Sequence, residues 1–168
     1  MESLTSWIAN SAANDFALAL LGNVPGSPPI LQTMHLLSIV AIIASALMID
    51  LRILGLAVPS QEIQEMAKRL RYWTLFGVLG AFSSGIWFVL ARPNRYFNNP
   101  VFQIKFALLI PALLCSYWIL RLAVRRPNFW ETHLWRGRLL AGVSLILWVG
   151  VVLAGRWIAY SEYLFWPA

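Results

Sequence analysis

A chain of 168 residues that is 60% hydrophobic and only 12% charged is not an ordinary soluble domain, since such domains carry about 25% charged residues. The formal net charge of +6 does not point to nucleic acid, because the basic residues gather between apolar spans, and no nucleic-acid partner is expected. So many apolar spans leave no length for a separate catalytic domain, and residues 1–168 read as one all-α integral membrane domain, a four-helix bundle solvated by the lipid bilayer.

The opening stretch has no basic n-region and its apolar run FALALLG is short, so it does not read as a signal peptide. Thr5 or Ser6 is expected to cap an amphipathic helix over about 4–21, with Trp7, Ile8, Ala12, Phe16 and Leu20 on one face. That helix should lie in the outer membrane interface. Asn23 to Pro29 then turns the chain into the bilayer.

Transmembrane helices are expected at about 30–57, 73–91, 102–123 and 138–158. In the first, His35, Ser38, Ile42, Ser45, Ile49 and Arg52 fall along one stripe at helical period. Polar groups are costly in hydrocarbon, so this stripe should face other helices. Asp50 and Arg52 are about 200° apart on the helix and should not pair; Asp50 is expected to find Arg71 or Arg121 instead. Pro59-Ser60 should end the span and recap the amphipathic SQEIQEMAKRLRYW, which runs into the second.

The second span carries Gly77, Ala81 and Gly85 at four-residue spacing with Gly80 and Ser84 alongside, which is a packing seam or room for a flat ligand. Arg92 to Pro100 forms a turn-rich loop, and Pro111 should kink the third span. Phe129, Trp130 and Trp135 around His133 read as an interfacial belt. Short repeated words, LRILGLAV against LRLAV and VLAR against VLAGR, hint at two related hairpins. Cys115 stands alone, so no intrachain disulfide can form.

Nine of the Lys and Arg residues lie between spans one and two or three and four, against four elsewhere. This asymmetry puts the first and third loops in the cytoplasm and both termini outside. On that topology His35, Lys105, Arg92 and Arg156 all fall in the outer layer of the membrane. The bland reading has the arginines and Lys105 snorkelling to lipid phosphates or pairing with Glu2, Asp15 or Glu162. For His35 three readings stay open. It is the axial metal ligand of a b-type haem whose propionates pair with Lys105 and Arg156, with Arg92 nearby. It is a donor to a quinone carbonyl. Or it is structural, bonded to a neighbouring serine or carbonyl. His133 lies at the opposite membrane face and cannot supply a second ligand. No HExxH, Walker, GxSxG or CxxC signature is present, and whether the chain is an enzyme stays open.

The words TMHLLSIV, DLRILGLAV, NPVFQIKFALL and SLILWVGVVLAGRWIAY, over about residues 5–160, resemble a bacterial family of four-helix membrane proteins of unknown function. More distantly, the span-opening histidine and the Lys105-type lysine are similar to those of copper-resistance D-type and protoporphyrinogen-oxidase J-type membrane proteins. That second likeness touches only His35 and Lys105, and it implies haem or porphyrin chemistry there. The expectation is therefore a small redox subunit of the bacterial inner membrane, holding haem b near the outer face and exchanging electrons with quinone or a partner dehydrogenase. The alternative is a non-catalytic interaction or scaffold subunit whose partner is another membrane protein or a second copy.

Overall fold

The computed structural model describes residues 2–126 and 128–160. Its helices are α1 (Glu2–Ala9), α2 (Ala12–Asn23), α3 (Ser27–Leu54), α4 (Ile63–Ala91), α5 (Pro93–Phe97), α6 (Pro100–Arg125), α7 (Phe129–Thr132) and α8 (Leu134–Trp157), followed by a 3-10 turn at Ile158–Tyr160. No strand occurs among the described residues. α3, α4, α6 and α8 have 24 to 29 residues each and are long and apolar enough to cross a membrane. At about 1.5 Å per residue these helices exceed the ~30 Å hydrocarbon core. This is the expected all-α membrane bundle.

Local chemistry sets the helix ends. α3 begins at Ser27 because Gly26 takes the left-handed conformation (φ 80°) and Pro28 and Pro29 fit the first turn. It stops at Leu54, earlier than expected from Pro59. Gly55 is also left-handed (φ 79°), and its N–H and that of Leu56 bond back to the carbonyls of Arg52 and Leu51. The amphipathic stretch before span two is continuous with it, as α4. Helix α6 runs on through Pro111, capped by the Asn99 side chain, which accepts from the Val101 N–H at 2.9 Å.

The N-terminal helix differs from the sequence reading. It is broken at Asn10–Ser11 into α1 and α2, and the cap is Ser11, which accepts from the Asn14 N–H at 3.3 Å. Trp7 and Phe16 remain exposed on the face read as membrane-seeking, while Asn14 and Ala17 are buried against α4.

α3 pairs closely with α4, and α6 with α8; α3 also packs on α8, and α4 more lightly on α6. The bundle is thus two antiparallel hairpins side by side. One end carries α1, α2 and α5; the opposite end carries α7 and the α3–α4 loop. Two apolar layers fill the interior. Ile42, Ala46, Ala112, Trp148 and Val151 form the layer nearer the α2 end. Ile49, Ile53, Ala67, Ile119, Ala123, Trp130 and Ala141 form the layer at the α7 end. Trp130, expected in an interfacial belt, is buried there over Gly137, while Trp135 is exposed as expected. Large apolar side chains such as Phe76, Phe82, Ile110 and Ile146 point outward, as a lipid-facing surface requires.

Candidate functional site

The expected stripe on α3 faces inward: Ile42, Ser45 and Ile49 are buried, and His35 and Ser38 half-buried. It meets the small-residue face of α4. A Cβ added at Gly77 would sit 2.6 Å from Ile42 Cγ1, at Gly80 2.3 Å from Ser38 Oγ, and at Gly85 2.8 Å from His35 Cε1. The glycines are therefore filled by the side chains of α3. The face is a packing seam, not a slot for a flat ligand.

Within this seam His35 Nδ1 lies 2.8 Å from the Ala81 carbonyl oxygen and 3.3 Å from Ser84 Oγ. A carbonyl only accepts, so Nδ1 carries the hydrogen and donates. Ser84 gives its own hydroxyl proton to the Gly80 carbonyl, leaving its oxygen free to share the imidazole donor. The other ring nitrogen, Nε2, lies 3.8 Å from the Gly85 Cβ position, against 3.0 Å for Nδ1, and makes no hydrogen bond with any described residue. In the neutral ring Nε2 holds a lone pair available to a metal or to a ligand hydroxyl.

Lys105 of α6 comes close enough for its charge to act on the His35 ring. Its stem lies over Gly155 of α8, with Cε and Nζ 3.7 and 3.9 Å from the Cβ position there. Lys105 makes no hydrogen bond or ion pair with any described residue. All four spanning helices thus contribute: His35 from α3, the Ala81–Gly85 wall from α4, Lys105 from α6 and the Gly155 gap from α8. The other two expected residues are not brought in. Arg156 is exposed, donates to the Tyr160 hydroxyl at 2.9 Å and lies 5.1 Å from that ring's centroid. Arg92 is exposed at the C-terminus of α4. Glu162 falls outside the described residues.

Beside Lys105 an apolar groove of about 420 Å³ runs between α6 and α8, lined by Val101, Ile104, Leu108, Gly150, Leu153, Ala154 and Trp157. Sequence reasoning also missed Asn14. Its amide donates to the Leu90 carbonyl at 2.6 Å, fastening α2 over the free carbonyls that end α4. A Ser-x-x-Asn spacing at 11–14 was the available signal.

A second polar layer separates the two apolar ones. Asp50 of α3 and Ser144 of α8 are fully buried (0% exposed), and Cys115 of α6 lies close enough to sense the carboxylate. Next to Cys115, Ser116 accepts from Trp148 Nε1 at 2.9 Å. The arginines expected to pair with Asp50 do not. Arg71 is exposed and donates to Tyr72, and Arg121 is exposed and donates to Tyr117. Near the head group region a guanidinium gains more from water and a tyrosine hydroxyl than from entering the core.

Fold and site define a four-span membrane protein with an inward-facing His–Lys pair near one end and a buried carboxyl near the other. The chain belongs to a Family of unknown function (DUF6644), whose model matches residues 16–161. No curated protein and no solved structure matches it.

Proposed function

We propose that this protein is a small membrane redox subunit whose cofactor is held by His35 Nε2, with Lys105 balancing negative charge. The observation that carries the reading is the Nδ1–H bond to the Ala81 carbonyl at 2.8 Å. Such a bond fixes the ring and its tautomer, as the outer partner of a ligating histidine does, and leaves Nε2 as the free donor atom. Haem b fits this donor set: His35 would hold the iron and Lys105 a propionate, and the bound group would supply one-electron transfer. Arg156 and Arg92 take no part in this version, because both side chains are at the surface.

A quinol head group is the second reading, and the groove favours it. A quinol hydroxyl donates to Nε2, Lys105 meets the other oxygen, and the apolar α6/α8 groove beside Lys105 suits a hydrocarbon tail. Donation from Nδ1 to a quinone carbonyl is less apt, since that hydrogen already has a partner. With the nine basic residues of the α7 end in the cytoplasm, the site lies toward the outside of a bacterial inner membrane and both termini are external.

The test is cofactor extraction from protein purified in mild detergent. Haem or quinone is expected to co-purify with the wild type and to be lost from His35→Ala, while Lys105→Ala retains it weakly. A folded bundle free of both would make His35 structural. The chain would then be an interaction or scaffold subunit whose partner is another membrane protein or a second copy.

A further inference from the structure

The layer at Asp50 lies several turns from His35 and is independent of it. Both carboxyl oxygens of Asp50 and the Ser144 hydroxyl are sealed from solvent, and none of the three has a hydrogen-bond partner. The Ser144 hydroxyl nevertheless faces the carboxyl from across the α3–α8 contact. A buried polar group without a partner is exceptional, and a bare charge there costs several kcal/mol by general estimates.

Among the described residues nothing charged compensates it. From α6 the facing group is Cys115; from α8 it is Ser144. On α4, Ala67 belongs to the adjoining apolar layer, while the ionisable Glu65, Lys68, Arg69 and Arg71 are all exposed. On α3 itself Arg52 turns away, its Nε donating to the Gln61 carbonyl at 2.7 Å. Trp130 Nε1, a neutral donor of the same inner region, is likewise buried and unbonded.

Counting donors and acceptors identifies the missing partner. An ionised carboxyl has only acceptor sites, and Ser144 brings one donor, so one oxygen and the whole charge are stranded. A metal cation would find three side-chain oxygens without partners here, fewer than the six or more oxygen ligands a hard cation takes. One added proton changes the count. The carboxylic acid donates to Ser144 Oγ, and the Ser144 hydroxyl donates back to the carbonyl oxygen of Asp50.

We infer that Asp50 and Ser144 form an intramembrane proton-binding site in which a neutral carboxylic acid and a hydroxyl exchange hydrogen bonds. The ligand is the proton itself, lodged between the two apolar layers, about one helical turn from the α7 end of α3.

Infrared spectroscopy of the full-length protein in lipid vesicles at neutral pH tests this. The expected result is a carbonyl stretch of a protonated carboxylic acid that shifts in D₂O and disappears in Asp50→Asn. Ser144→Ala should move it to higher frequency, because a hydrogen bond to the carbonyl is lost. If Asp50→Asn does not fold, wild-type protein labelled with ¹³C at the aspartate carboxyl carries the same assignment by isotope shift. Absence of the band, or its persistence in Asp50→Asn without an aspartate isotope shift, overturns the inference. So does a thermal stabilisation by Na⁺ or K⁺ that Asp50→Asn abolishes, since that would make the site a carboxylate with a metal counter-ion.

Discussion

The two polar places in this bundle use opposite means of tolerating a polar side chain in hydrocarbon. His35 is half-buried, and its one obligatory donor is satisfied by a backbone carbonyl that the glycine-rich face of α4 brings within reach. Asp50 is completely enclosed and has no satisfied atom. The first leaves one ring nitrogen without a protein partner, on a ring that feels the charge of a cation on another helix. The second is completed by a proton alone. Pre-paid geometry with one open valence suits a ligand that binds and stays, whereas an enclosed, self-complementary acid suits a proton.

The largest effect should come from breaking what the two share, the α3–α4 seam. Gly77→Leu puts a Cβ 2.6 Å from Ile42 and 2.9 Å from the Ser38 backbone oxygen, and backbone cannot move aside cheaply. A loss of about 3 kcal/mol is expected, seen as a large drop in thermal midpoint in detergent, with both sites disrupted.

Truncating each site separately sharpens the contrast. Asp50→Ala leaves a void in a fully buried layer and strands Ser144, at a cost of about 2 kcal/mol. His35→Ala removes one interhelical hydrogen bond from a half-buried position, worth about 0.6 kcal/mol. Thermal unfolding of the two variants should rank them in that order, while cofactor loss ranks them in reverse. An effect as small as that at His35, about 0.6 kcal/mol in the same assay, is expected at Ser116→Ala, which removes the hydroxyl that accepts from Trp148 Nε1.

Much of this was legible in the sequence, for reasons that differ by residue. The stripe from His35 to Ile49 could be read because helical period alone decides which residues share a face. The glycines at 77, 80 and 85 announced close packing because only missing side chains allow it. What period cannot say is which groups meet across helices. Asp50 was assigned an arginine because opposite charges attract, yet Arg71 and Arg121 sit on exposed faces and bond to their neighbouring tyrosines. Arg156 was placed in the outer layer by depth alone, and depth does not fix direction around the helix. The early end of α3 was visible as Gly55 but was outweighed by the more conspicuous proline at 59. Ser11 was overlooked as a cap because a continuous amphipathic face ran across it.

The central claim is that His35 holds a redox group, and a reduced-minus-oxidised visible difference spectrum of wild type and His35→Ala, purified side by side, tests it most directly. For haem b the account predicts a reducible Soret band in the wild type that is absent from the folded variant. For a bound quinone the reducible signal moves to the ultraviolet and is again lost in His35→Ala. A wild-type spectrum with no reducible component at any wavelength, or one that His35→Ala leaves unchanged, would contradict the account.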